Sequence, residues 1–95
     1  MISIITITYN AERFLERTIQ SVVAQRATDY EYIMIDGKST DGTLDIIKRY
    51  ENHITHWISE PDAGLYDAMN KGLHQARGQY VWFMNAGDED RKSVV

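Results

Sequence analysis

The stretch YIMIDGKSTDGT, residues 32–43, sets a short apolar run against a polar turn, and its reading decides the fold. Tyr32, Ile33, Met34 and Ile35 are apolar without alternation, the pattern of a strand buried on both faces. Asp36, Gly37, Lys38 and Ser39 then end the strand in turn-forming residues. Ser39 or Thr40 can cap a helix over residues 41–50, whose inner stripe would be Leu44, Ile47 and Tyr50. A doubly buried strand followed at once by a helix is half of a parallel crossover unit.

Working outward, the flanks repeat that grammar. Residues 2–8, ISIITIT, are rich in β-branched side chains and read as a strand. Asn10 is placed to cap a helix over residues 11–25, where Phe14, Leu15, Ile19, Val22 and Val23 recur at helical spacing. On the other side, residues 54–59 form a weaker strand, and Pro61-Asp62 begins a turn. Tyr66, Met69, Leu73 and Ala76 fall on one face of a third helix that Gly78 should end. Residues 80–84, YVWFM, are a fourth strand, followed by a polar loop and short tail.

The order β-α-β-α-β-α-β predicts an α/β fold with three layers, a Rossmann-like parallel sheet covered by helices on both faces. Right-handed crossovers favour the strand order 3-2-1-4. Ligands of such sheets sit beyond the carboxyl ends of the strands, where the winding reverses between the first and fourth. Four polar endings meet there: Thr8-Tyr9-Asn10, residues 36–39, residues 60–62 and residues 85–90.

Composition narrows the classes. The 95 residues allow one domain, and 43% apolar with 25% charged residues is a globular balance. A net charge of −4 with scattered lysines and arginines argues against a nucleic-acid backbone as partner. A metal-bridged anion suits an acidic chain better. The absence of cysteine removes disulfides, thiolate zinc sites and thiol nucleophiles. The first residues lack a basic leader and no run reaches the length of a membrane span, so the expectation is a cytoplasmic protein, with the inner membrane face as the setting for an intact enzyme. Neither G-x-G-x-x-G nor a P-loop is present. A diphosphate bound here would need a divalent cation, Mn²⁺ or Mg²⁺, held by oxygen ligands.

Thr8-Tyr9-Asn10, residues 35–43 (IDGKSTDGT), residues 60–72 (EPDAGLYDAMNKG) and residues 83–88 (FMNAGD) together resemble the family 2 glycosyltransferases. These are inverting enzymes of GT-A fold that use nucleotide-activated sugars. The resemblance runs from Ile2 to about Asp88. It implies that residues 1–90 are the nucleotide-sugar-binding half of a GT-A domain, with residues 91–95 a tail. It implies that Thr8 and Tyr9 lie beside base and ribose, with Asn10 in the same loop, and that Asp36 hydrogen-bonds a uracil ring. It aligns Asn85-Ala86-Gly87-Asp88 with a D-x-D type motif, so Asp88 takes the metal position, while Gly87 and Asn85 stand where acids contact the ribose region. The donor implied is a UDP-sugar and the acceptor of the full-length enzyme a glycan, in polysaccharide biosynthesis. The acceptor pocket and catalytic base of the family lie past this stretch, which leaves no catalytic residue in the chain and an expectation of little turnover.

Asn70, away from the third helix's apolar stripe, is counted with the donor-binding residues, plain surface exposure being the equal alternative. Asp67, Lys71, Glu89 and Asp90 are expected to be solvated, His53, His56 and His74 receive no role, and Trp57 and Trp82 are expected as core or edge aromatics. A second functional class stays open: an inactive fragment or a non-enzymatic α/β interaction domain. The apolar fourth strand, at the edge of the sheet, predicts a homodimer through that edge.

Overall fold

The computed structural model describes residues 1–24, 29–61 and 63–85. Within them lie β1 (Ile2–Thr8), α1 (Leu15–Val23), β2 (Tyr30–Asp36), α2 (Thr43–Arg49), a 3-10 turn (Glu51–His53), β3 (His56–Ser59), α3 (Leu65–Gln75) and β4 (Tyr80–Asn85). The strands form one sheet in the order β3-β2-β1-β4, as expected. All three pairings are parallel, with Ile4 opposite Tyr32 and Trp82, and Thr8 opposite Asp36.

Each central strand sends alternate side chains to opposite layers. Ile4, Tyr32 and Met34 pack with Leu15, Ile19, Val22, Ile46 and Ile47, which puts α1 and α2 on one face. Ile5, Ile33, Ile35 and Phe83 pack with Ala68 of α3 on the other. The uninterrupted apolar run of β2 is therefore two cores read in alternation. On the first face, the Thr6 and Tyr32 hydroxyls bond each other at 2.8 Å. Burial pushes the Tyr32 phenol well above the ordinary tyrosine range, although its bond with Thr6 works the other way. Trp57 and Trp82 are half-buried against this same core.

Several boundaries differ from the sequence expectation. Asn10 does not cap α1: its backbone is left-handed (φ 47), and α1 begins only at Leu15 after a turn in which the Ala11 carbonyl accepts the Phe14 and Leu15 N–H groups. α1 ends at Val23 rather than 25. α2 starts at Thr43, because Ser39 is occupied elsewhere and Asp41 instead accepts the Thr43 N–H. Its buried residues are Thr43, Ile46 and Ile47, with Leu44 and Tyr50 half-buried beside them.

The buried face of α3 is rotated from the predicted one. Tyr66 is 82% exposed and Leu73 46%, while Ala68 and Gly72 are buried and Met69 and Ala76 partly so. The reason is close approach. A Cβ on Gly72 would lie 2.7 Å from Ile5 Cγ2 and 3.6 Å from Ile35 Cγ1. The helix thus rests its backbone on the sheet and turns its larger side chains outward. Gly78 is likewise no helix cap, since Ala76 is already extended. A Cβ there would meet the Met1 carbonyl and the Ser3 side chain at 2.7 Å.

Beside Gly78, Glu31 anchors the amino edge of the sheet. Its carboxylate accepts the Ser3 hydroxyl at 2.6 Å and the Arg77 N–H, and Ser3 Oγ accepts the Gly78 N–H at 2.8 Å. Desolvation acts to raise the Glu31 pKa, yet the hydrogen bonds from Ser3, Arg77 and Gly78 outweigh it and hold the group below its ordinary 4.5. With the folded pKa depressed, the stability Glu31 contributes is complete above the unfolded value and is lost as pH falls through the folded one. Urea unfolding across the acid range should therefore show stability falling below about pH 4.5, and Glu31→Gln should flatten that limb. An unchanged acid limb would exclude this clamp.

Gly72 gives a second test. In an open helix Gly→Ala stabilises by up to about 1 kcal/mol; Gly72→Ala should instead destabilise by about 1–3 kcal/mol, since Ile5 must move. A higher urea midpoint for the alanine variant would show that α3 has slack against the sheet.

Candidate functional site

The loops that follow β1 and β2 at the carboxyl edge are built into one another. The Gly37 N–H donates to the Thr8 carbonyl at 3.0 Å, extending the strand pairing by a step. The Asn10 N–H donates to Ser39 Oγ at 2.8 Å, and Asn10 Oδ1 accepts the Thr40 N–H at 2.8 Å. The Ala11 N–H donates to Thr43 Oγ1 at 2.9 Å. Asn10 is thus spent across the loops and not on its own helix. Asn and Asp side chains suit such work because they mimic a backbone turn and tolerate the left-handed region.

Asp36 lies under this junction with 0% of its surface exposed. Its carboxylate accepts the Ser39 N–H and the Ser59 hydroxyl, each at 2.8 Å, and the Ser39 hydroxyl. Its carbonyl accepts the Glu60 N–H at 3.0 Å. The carboxylate expected to hydrogen-bond a uracil ring is also bonded by its own chain, joining the ends of β2 and β3. A buried charge needs such donors, or its desolvation would be prohibitive. Nearby, desolvation acts to raise Asp41, but hydrogen bonds from Thr43 and from the Glu12 N–H hold it below its ordinary range.

The loop after β3 is clamped to α3. The Lys71 ammonium donates to the Pro61 carbonyl at 2.9 Å and pairs with Glu60 at 3.1 Å and Asp67 at 3.4 Å. Asp67 accepts the Ala63 N–H at 2.9 Å, and this bond chiefly holds its carboxyl below the ordinary range. Asp67 and Lys71, expected to be simply solvated, are therefore the fastening of this loop.

The structure brings Thr8, Tyr9, Asn10 and Asp36 together at one rim. Tyr9 is 63% exposed on it. Thr8 is 2% exposed, and its Oγ1 has no hydrogen-bond partner among the described residues. Asn85 ends β4 opposite Ile7, so its backbone borders the same rim. Asn70 is exposed on α3, more than a turn from the helix start. Gly87 and Asp88 lie outside the described residues. Ser39, Ser59, Asp41 and Thr43 were not anticipated in these roles, although the Ser-Thr-Asp-Gly-Thr run is turn chemistry that signals side chains bonded to nearby backbone. Among the described residues no three His, Cys, Asp or Glu side chains converge to hold a metal, and no helix is long and apolar enough to cross a membrane.

A family model described as glycosyl transferase family 2 matches residues 3–95. An uncharacterized glycosyltransferase of Mycobacterium tuberculosis is 43% identical over 88 residues, which cover 92% of this chain and 34% of that protein. The putative teichuronic acid biosynthesis glycosyltransferase TuaG of Bacillus subtilis is 38% identical over 100 residues, covering all of this chain and 39% of its own length. The chain thus spans little more than a third of these relatives (34% and 39%). Among solved structures, TarS of S. aureus in complex with UDP-GlcNAc superposes with a TM-score of 0.80 at 30% identity, over 88% of this chain and 26% of that one. The mannosyltransferase PcManGT of Pyrobaculum calidifontis, in complex with GDP-Man and Mn²⁺, superposes with a TM-score of 0.81 at 25% identity, over the same shares.

The wiring of Asp36 yields a prediction. Asp36→Asn would point amide hydrogens at donors that need an acceptor, and should destabilise by about 2–4 kcal/mol in chemical denaturation. Asn10→Ala, which loses one bridging bond and a residue suited to φ 47, should cost about 1–2 kcal/mol. An Asp36→Asn chain as stable as the parent would mean that its carboxylate is not the joint described.

Proposed function

The chain belongs to glycosyl transferase family 2 and has the GT-A, Rossmann-like fold, and from that premise we propose that its carboxyl-edge rim binds a UDP-sugar donor for inverting glycosyl transfer to a polysaccharide or glycan acceptor. One observation carries the reading. The β1 and β2 loops are bonded into a single platform that carries Tyr9, 63% exposed, next in sequence to Thr8, whose buried hydroxyl has no partner among the described residues. An exposed aromatic side chain on a loop held by its neighbours suits recognition of a flat, polar base. Uridine is preferred because the structure solved with UDP-GlcNAc is closer in sequence than the one solved with GDP-Man.

In this reading Tyr9 and Thr8 contact base and ribose, Asn10 holds their loop, Asp36 hydrogen-bonds the uracil ring besides joining the loops, and Asn85, at the end of β4, and Gly87 take the ribose side. Asn70 takes a place at the outer margin of the donor. For the divalent cation, Mn²⁺ or Mg²⁺, Asp88 is the proposed protein ligand. With no group of three ligands among the described residues, Asp88 and the donor's own phosphate oxygens would hold it, a common shell for such ions. When bound, the ion offsets charge on the leaving diphosphate. These residues are read as binding the donor, and none of them is given the task of taking the acceptor's proton. Pairing of two copies along β4, the outer strand next to β1 in the described sheet, belongs to the same proposal.

Calorimetric titration of UDP with Mn²⁺ and with EDTA is the direct test. Binding should be clear with the metal and weak without it, and Asp88→Ala should remove the difference. Equal affinities with and without metal would sink the metal part, and no UDP binding at all would sink the donor reading.

A further inference from the structure

We infer that Lys38 is a contact for the diphosphate of the donor, a cation set on the rim by a backbone conformation that its residue type disfavours. The inference rests on the donor reading above. Lys38 has φ 63, in the left-handed region where a side chain with a Cβ is strained and glycine is not. Neighbouring bonds impose that conformation: the Gly37 N–H is held by the Thr8 carbonyl, and the Ser39 N–H by the Asp36 carboxylate. None of them uses the Lys38 side chain, so the backbone alone would be better served by glycine. Strain kept at a ligand rim points to a task for the side chain.

The side chain is exposed, and among the described residues its ammonium has no ion-pair partner. The acids nearest in sequence, Asp36 and Asp41, are engaged by their own chain through Ser39, Ser59, Thr43 and the Glu12 N–H. A chain of net charge −4 with no glycine-rich phosphate loop thus presents a free cation between Thr8 and Asn10. A long, flexible ammonium suits a phosphate as a point charge rather than as a shaped fork. A phosphate could also come with the acceptor, so the test separates donor from acceptor by using the nucleotide alone.

Binding of UDP and of uridine to the parent chain, Lys38→Gly and Lys38→Gln is measured by calorimetry in Mn²⁺, with melting temperatures alongside. Lys38→Gly should melt higher, by about 4 °C, yet bind UDP about fivefold more weakly. Uridine affinity should not change. Lys38→Gln should lose the same UDP affinity without the gain in melting temperature. Opposite signs in stability and affinity set this role apart from a structural one. Unchanged UDP affinity in both variants would overturn the inference while leaving the donor reading intact. Equal losses for UDP and uridine would overturn it too, by placing the contact on the nucleoside. A parent chain that binds no UDP would remove the donor reading and this inference together.

Discussion

The buried carboxylate of Asp36 is the joint on which the rim depends. Three donors from two segments converge on it, and its backbone carbonyl takes a fourth from the loop beyond β3. Without them an ionised group at this depth would cost several kcal/mol. With them it fixes Ser39, and Ser39 in turn receives the Asn10 N–H. The β1 loop is therefore positioned by a charge that lies one strand away and does not itself reach solvent. This organisation explains why a site made of loops can be held in place: the loops are satisfied by one another before any ligand arrives.

The two faces of the sheet are built differently. Towards α1 and α2 the sheet offers Ile4, Tyr32 and Met34, large side chains that meet Leu15, Ile19 and Ile47. Towards α3 the contact narrows to the backbone at Gly72, so that layer is thin. The Lys71 fastening holds the loop that precedes α3. The opposite edge carries its own polar lock at Glu31, remote from the rim.

Much of this was legible in the residues. The doubly apolar run at 32–35 and the β-branched run at 2–8 gave the parallel sheet and its order, because strand burial depends on local pattern. Helix starts were less legible. Asn10 and Ser39 have the right chemistry for caps, but a partner about thirty residues away outbids the local helix for their hydrogen bonds. The face of α3 was misread for a related reason: periodicity weighs Tyr66 and Leu73 as core, whereas a glycine contact, invisible to hydropathy, turns them out. The motif after β1 picks out Thr8, Tyr9 and Asn10 as donor contacts, a role that belongs to the proposal above. Asp36 was located correctly but engaged inwardly, since the sequence alone does not say which donors will surround an acid.

The span of the rim bonds has a kinetic meaning. Asn10 reaches Ser39 across 29 positions and Thr40 across 30, and Ala11 reaches Thr43 across 32. Each closes the whole first crossover unit, and contacts of such sequence separation form late because loop-closure entropy must be met first. The rim cannot exist in a chain whose β1-α1-β2 unit has not closed. A partly folded form in which that unit is open has no rim to offer a ligand. Capture by a ligand would drain the folded end of the pathway alone, making occupancy of the rim a report that the β1-α1-β2 unit has closed.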